Sequence, residues 1–341
     1  MTLDRLVALS LLPVGACPDL LSRLAAEDPV LQDLSGERLP QARAALAAAG
    51  AAGVSCVSIE DEAYPARLRT IADPPAVLWY RGALDALEHP SVAVVGSRAA
   101  SPSGLETAFS LGAELARSGV AVISGMALGV DGAAHRGALT TGRTIGVLGC
   151  GVDVPYPRSH RSLAAAIVGQ GALVGEYAPG VPPLAHHFPL RNRIISGLAD
   201  AVVIVEAAER SGSLITARLA LEQGREVMAV PGSVAGGRNR GAHALIRDGA
   251  ALVESAADVL SELGWVVQPA AAPAGLEARQ EGGLLGLMPP GEPCSLDWLA
   301  TRLGQPGPDV LGGLLELELA GLVVRTDGGG FMRAGGTCYR N

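Results

Sequence analysis

Two rhythms of apolar residues run along this chain. Up to about residue 85 the apolar positions recur at helical spacing, as in LVALSLL, LLSRLAAE and ARAALAAAG, and predict a small helical domain with LLPVGA as a tight turn. From about residue 86 to 267 the rhythm changes to short, continuous apolar runs separated by amphipathic segments of helix length. The runs start at Val92, Val120, Thr144, Ala172, Ala201, Glu226 and Ala251. Being continuous, they predict the strands of a parallel sheet buried on both faces, hence an α/β core. Ligands of such sheets sit at the carboxyl ends of the strands, and each polar cluster of interest here follows one of these runs.

Residues 268–283 are rich in Pro, Ala and Gly and read as a linker. Residues 284–341 regain helical spacing in SLDWLATRLG and PDVLGGLLELELAGLV, then form a hairpin pattern around Gly328 to Gly330. Two helices and a hairpin resemble a winged helix. Its second helix, expected over Asp309 to Leu319, carries Glu316 and Glu318 and no arginine, so a protein contact or a structural role is expected before DNA reading. The LLPVGA turn makes the N-terminal domain similar to the SAM or helix-hairpin-helix kind, although plain helix packing accounts for it as well.

All 26 basic residues are arginine, so each cationic side-chain contact is a planar, permanently charged fork suited to phosphate. A formal net charge of −8 argues against a surface that coats nucleic acid broadly and leaves room for a local cationic groove. The five cysteines, Cys17, Cys56, Cys150, Cys294 and Cys338, are scattered without any CxxC, which favours neither a disulfide framework nor zinc and reads as cytoplasmic. LVALSLLPVGAC looks like a short secretion segment, but Asp4 cancels Arg5 and Pro13 interrupts the apolar run. No stretch of about 18 apolar residues predicts a membrane span.

The candidate chemistry lies at strand ends. After the first run come Gly96 for close backbone approach, Ser97 with a hydroxyl and Arg98 with a charge; the pattern matches neither GxGxxG nor GxxxxGK[ST]. ISGMALGVDGAAH adds Gly125, Gly129, Asp131 and His135, with Asp131 expected to cap a helix. One acid and one histidine fall short of the three ligands that catalytic zinc usually takes. GCGVDVPYPRSH offers Tyr156 for stacking and Arg158 for phosphate on a loop. HHFPLRNR supplies His186, His187, Phe188, Arg191, Asn192 and Arg193 just ahead of an expected helix start. Ser211, Gly212, Ser213 and Thr216 fall where the Ala201 strand turns into a helix, whose backbone N–H groups attract phosphate. No nucleophile or general base accompanies them, so binding phosphate is favoured over chemistry on it, with no catalytic residue, metal or cofactor expected.

In this order, YPARL, DPPAVLWYRG, VAVVGSR, SGMALGVDGAAH, VLGCGVDVPYP, FPLRNRIISGLADAVVIVEA, SGSLITARLALEQGREVMAVPG and GAHALIRDGA make the chain resemble the DprA (Smf) family of DNA-processing proteins of natural transformation, over roughly Asp61 to Val259. The resemblance implies a Rossmann-like core that binds single-stranded DNA without sequence preference, a homodimer, and transfer of the strand to the RecA recombinase. It implies that Gly96, Ser97 and Arg98 hold phosphate, assisted by Arg158, Phe188, Arg191, Asn192 and Arg193. Two departures stand out. A family lysine ahead of FPxRNR is replaced by Ala185, His186 and His187, and GxNxLI becomes GAHALI with His243. A partial imidazolium charge below about pH 6.5 would then raise DNA affinity on acidification. Leu245, Ile246 and Leu252 flank a turn at an expected sheet edge that a twofold partner could cover. The alternative is a nucleoside-monophosphate hydrolase of the LOG (lysine-decarboxylase-like) fold, but the turn SGSLITARL has Leu219 where the catalytic acid of that family would stand.

Overall fold

A computed structural model of the chain describes residues 1–13, 19–265, 284–289, 293–319, 323–326 and 330–333. The chain divides into two compact units, Met1–Gln268 and Pro269–Asn341.

The first unit is built on one sheet of nine strands: β1 (Ser55–Ser58), β2 (Val77–Gly82), β3 (Ser91–Val95), β4 (Ala121–Ser124), β5 (Thr144–Leu148), β6 (Ala172–Gly175), β7 (Ala201–Ile204), β8 (Glu226–Ala229) and β9 (Ala251–Leu252). Their spatial order is β1-β2-β6-β5-β4-β3-β7-β8-β9. From β6 to β9 every pairing is parallel, while β1–β2 and β2–β6 are antiparallel. Each of the seven predicted apolar runs overlaps one of the parallel strands. Their continuity has a direct cause: Val92 and Val94 face one core, Ala93 and Val95 the other, so none of these four positions faces solvent. Helices α6 (Pro102–Arg117), α7 (Val130–Leu139) and α12 (Ala256–Glu262) cover one face. The other is covered by α9 (His187–Leu198), α10 (Ser213–Glu222), α11 (Arg240–Arg247) and the N-terminal helices α1 (Leu3–Ser10), α2 (Leu20–Ala25), α3 (Pro29–Glu37) and α4 (Leu39–Ala51).

The expected boundary near residue 85 is corrected by the sheet. β1 and β2 lie within the span expected to be helical, and they extend the sheet beyond β6. One apolar core runs without a break from Leu6 and Leu31 through Trp79 to Ile194 and Val202. Polar ties join the same elements: Arg67, on α5 (Ala66–Arg69), donates from Nε to Asp200 at 2.6 Å, and Arg225 donates to the Arg67 carbonyl at 2.9 Å. The LLPVGA turn enters residues 14–18, outside the described residues.

The second unit contains helices Leu284–Leu287, Leu296–Leu303 and Gly307–Leu319 and an antiparallel pair, Val323–Arg325 with Phe331–Arg333. Its core gathers Met288, Leu299, Val310, Leu314, Val323 and Phe331. The winged-helix expectation is met in this element order. Gly328 and Gly329 of the predicted hairpin tip, the linker 268–283 and the side chains of Glu316 and Glu318 lie outside what is described. Among the described residues no helix is long and apolar enough to cross a membrane.

Candidate functional site

From β3 the chain winds outward through β4 and β5 to β6, then returns to the other side of β3 with β7 and continues to β8 and β9. The carboxyl ends of β3 and β7 therefore form the switch point at which a wound sheet opens a crevice. A cleft of about 320 Å³ lies there, lined among others by Gly96, Arg98, Asp131, Phe188, Arg191 and the turn 211–216. A smaller recess of about 70 Å³ continues from it past Gly125, Leu128 and Tyr156 and shares Arg98, Phe188 and Arg191 with it.

Backbone contacts explain the glycines. A Cβ on Gly96 would come within 2.7 Å of Val130 Cγ2 and 3.0 Å of the Glu206 carbonyl, so the β3 end closes tightly onto α7 and the end of β7. Gly129 has φ 79°, and a Cβ there would meet the Ser97 carbonyl. Ser97 N donates to the Glu206 carbonyl at 2.7 Å, and its Oγ accepts from Ala99 N at 3.2 Å. This locked turn sends Arg98 across the cleft mouth. Its guanidinium carbon lies 5.5 Å from the centre of the Phe188 ring, and the Tyr156 ring lies 5.4 Å beyond Phe188. Charge and two aromatic faces thus line one continuous edge. Arg158 is exposed on a 3₁₀ turn, Arg158–His160, outside the lining of either recess.

The helix α9 begins at His187, so Phe188, Arg191, Asn192 and Arg193 lie inside it, not ahead of it as expected. Arg191 is 3% exposed, and its Nη1 donates to the carbonyls of Gly125, at 2.7 Å, and Val147. Burial lowers its pKa to about 10, which leaves it charged at neutral pH. Asn192 Nδ2 donates to the Gly212 carbonyl at 3.4 Å and ties α9 to the start of α10. Arg193 corrects the sequence reading. Its Nη2 meets Glu176 at 2.6 Å and its Nε meets Asp73 at 3.2 Å, and it lines neither recess. It holds the β2–β6 side of the molecule together.

His187 is held by packing and a hydrogen bond. It is 8% exposed, stacks on Tyr177 with ring centres 3.8 Å apart and places Nδ1 3.1 Å from the Gly149 carbonyl. Burial lowers its pKa, against a smaller opposing effect of the Gly149 hydrogen bond. His186 is exposed. Asp131 is not a helix cap: Gly129 holds the N-cap position, and the Asp131 Oδ2 accepts from Gly125 N at 3.1 Å and Ala127 N at 3.2 Å. Burial raises its pKa, partly countered by nearby Arg191.

The opposite wall is the start of α10. Gly212 is its N-cap, Ser211 Oγ lies 2.8 Å from Ser213 Oγ, and Thr216 is 2% exposed in the first turn. The positive end of the helix dipole therefore faces Arg98 across the cleft. Leu219 is half-buried, one turn further along α10 and off the lining. Two groups that shape the site escaped the sequence reading, Glu206 and Arg238. The signal for the first was present: an acid directly after the buried run AVVIV needs partners.

A family model described as DNA recombination-mediator protein A matches residues 55–264, and one for the DprA winged helix domain matches residues 268–329. The chain is 43% identical over 293 residues to Protein Smf of Escherichia coli (strain K12), covering 83% of this chain and 78% of that protein. The chain belongs to the DprA family. With the DNA processing protein DprA of Streptococcus pneumoniae (strain ATCC BAA-255 / R6) it shares 48% identity over 206 residues, 60% of this chain and 73% of that one. The X-ray structure of DprA from Streptococcus pneumoniae superposes with a TM-score of 0.68 at 40% identity, covering 77% of this chain and 99% of the other. A Helicobacter pylori DprA structure, described for its single-stranded DNA binding mode, matches with a TM-score of 0.56 at 30% identity over 62% of this chain and 95% of the other. The chain is thus a DNA-processing protein of this family with an α/β core and a winged-helix domain.

Proposed function

We propose that this DprA protein binds single-stranded DNA by its backbone, irrespective of sequence, protects it, and loads RecA recombinase onto it in the cytoplasm during natural transformation and recombination. The observation that carries the reading is the switch-point cleft, where Arg98 beside the Phe188 and Tyr156 rings faces the N-terminus of α10. Gly96, Ser97, Ser211, Gly212, Ser213 and Thr216 supply a close backbone and hydroxyls for one phosphate; Arg98 and Arg191 supply charge, Asn192 positions the wall, and Gly125 opens the adjoining recess. Arg158 and His186 serve the exposed approach. The single-strand binding named for the Helicobacter pylori relative supports the same assignment.

Two cleft arginines, with Arg193 committed elsewhere, predict a shallow salt dependence, a slope near 0.7 per phosphate contact on single strands. Unpaired bases can splay onto the rings, whereas a duplex keeps its bases stacked. The test is fluorescence anisotropy of a labelled oligo(dT) and of the matching duplex. Wild type is expected to prefer the single strand, and Arg98→Ala to weaken its binding by about tenfold regardless of sequence. Equal affinity for duplex, or an unchanged Arg98→Ala variant, overturns the reading.

A further inference from the structure

Glu206 is almost fully buried, at 2% exposure, although it follows a strand of apolar residues and belongs to neither wall of the cleft described above. Its carboxylate is aimed at the N-terminus of α6, the helix that follows β3. Glu206 Oε2 accepts from Ser101 Oγ at 2.6 Å and Ser101 N at 3.1 Å, and Oε1 lies 3.3 Å from the same amide. Oε2 is also so near Gly104 that a Cβ there would stand 2.8 Å away. Ser101 is the N-cap of α6, its Oγ accepting from Gly104 N at 3.1 Å. From outside, Arg238 reaches this turn, donating to the Ala99 carbonyl at 2.8 Å with its Nη1 3.9 Å from Glu206 Oε1.

In a doubly wound sheet, the turn from the first strand into its helix is where a dinucleotide places its pyrophosphate, on the helix N-terminus. Here β3 and α6 form that turn, and the position is filled by a carboxylate of the same chain. We infer that Glu206 is a specificity-determining and positioning residue: a resident anion that fills the phosphate position of the first βα turn, so that the turn rejects nucleotides and instead holds Arg98 rigid for a DNA backbone. The hold is two-ended. The Glu206 carbonyl takes Ser97 N while its side chain takes Ser101, so the residues between, Arg98 included, are suspended from one acid. An incoming phosphate at α6 would meet both an occupied donor set and a like charge.

The positioning half rests on the single-strand reading above, and the exclusion half does not. The test measures binding of ADP by calorimetry and of oligo(dT) by anisotropy in wild type, Glu206→Ala and Glu206→Gln, with circular dichroism and thermal melts on each. ADP is expected to bind Glu206→Ala at least about tenfold more tightly than wild type, with oligo(dT) affinity lowered several-fold. Glu206→Gln keeps the side-chain length and removes the charge; it is expected to gain ADP affinity too, which keeps the test usable should the alanine variant not fold. A folded variant that binds ADP no better than wild type overturns the inference. So does wild type binding ADP as tightly as the variants. Arg98→Ala, read in parallel, separates the two ideas: loss of oligo(dT) there, with no gain of ADP in the Glu206 variants, sinks only the second.

Discussion

Arg191 and Arg193 leave α9 on different sides, because two helical positions turn a side chain through about 200°. Arg191 reaches the cleft, and Arg193 is enclosed between Glu176, with 10% side-chain exposure, and Asp73. Removing one partner of a buried pair leaves the other charge uncompensated. Arg193→Met should therefore cost about 3 kcal/mol of stability in urea unfolding while the folded protein keeps its oligo(dT) affinity. The double variant Arg193→Met with Glu176→Leu should regain much of that loss; weakened DNA binding in a stable Arg193 variant would return this residue to the cleft. FPLRNR was legible as a candidate phosphate site because its two guanidinium forks suit phosphate. Its division of labour was not, since a residue two places along a helix looks adjacent in sequence and is opposite in space. The partner of Glu206 was hidden for a related reason, Ser101 lying 105 residues away.

Helix α7 is seated on β5 by His135, whose Nδ1 lies 2.7 Å from Thr144 Oγ1. Burial lowers the pKa of His135 from 6.5 to about 3, and His160, Arg136 and Arg191 push the same way. Between those values the unfolded chain binds a proton that the folded one excludes, so stability is complete above pH 6.5 and is lost as the pH falls toward 3. The expected loss is about 1 kcal/mol between pH 6 and 5, with His187 adding in the same direction. Thermal melts across that range should show it, and His135→Gln should flatten the trend relative to wild type; an equal slope in the variant would exclude His135 as the source. At this scale the parallel strands were readable because burial on two faces writes itself as an unbroken apolar run. β1 and β2 were not, because SCVS and VLWYRG are short, and the alanine-rich helix ahead of β1 dominates the spacing of the stretch.

The sheet ends in two strands of different character. β1 is paired on one side only and lies beside the N-terminal helices, whereas β9 closes the series with Leu252 51% exposed. Leu245 and Ile246 are half-buried against the core nearby, which leaves Leu252 as the apolar group that a twofold partner would cover. If that edge is a twofold contact, wild type has a dimeric mass at micromolar protein by light scattering and Leu252→Arg a monomeric one, with binding to an oligonucleotide long enough for two clefts weakened more than to a short one. A dimeric mass that survives the substitution would move the contact elsewhere. With a net charge of −8 the molecule as a whole repels DNA, so what happens within a few ångströms of the mouth decides whether a strand settles. The backbone oxygens that crown β4 and β5 would turn a hostile rim toward it. Laid over them, the buried Arg191 fork acts as an insulating cap that takes up lone pairs which would otherwise project, and on the proposed reading a chain rich in acid acquires a doorway that does not push its guest away.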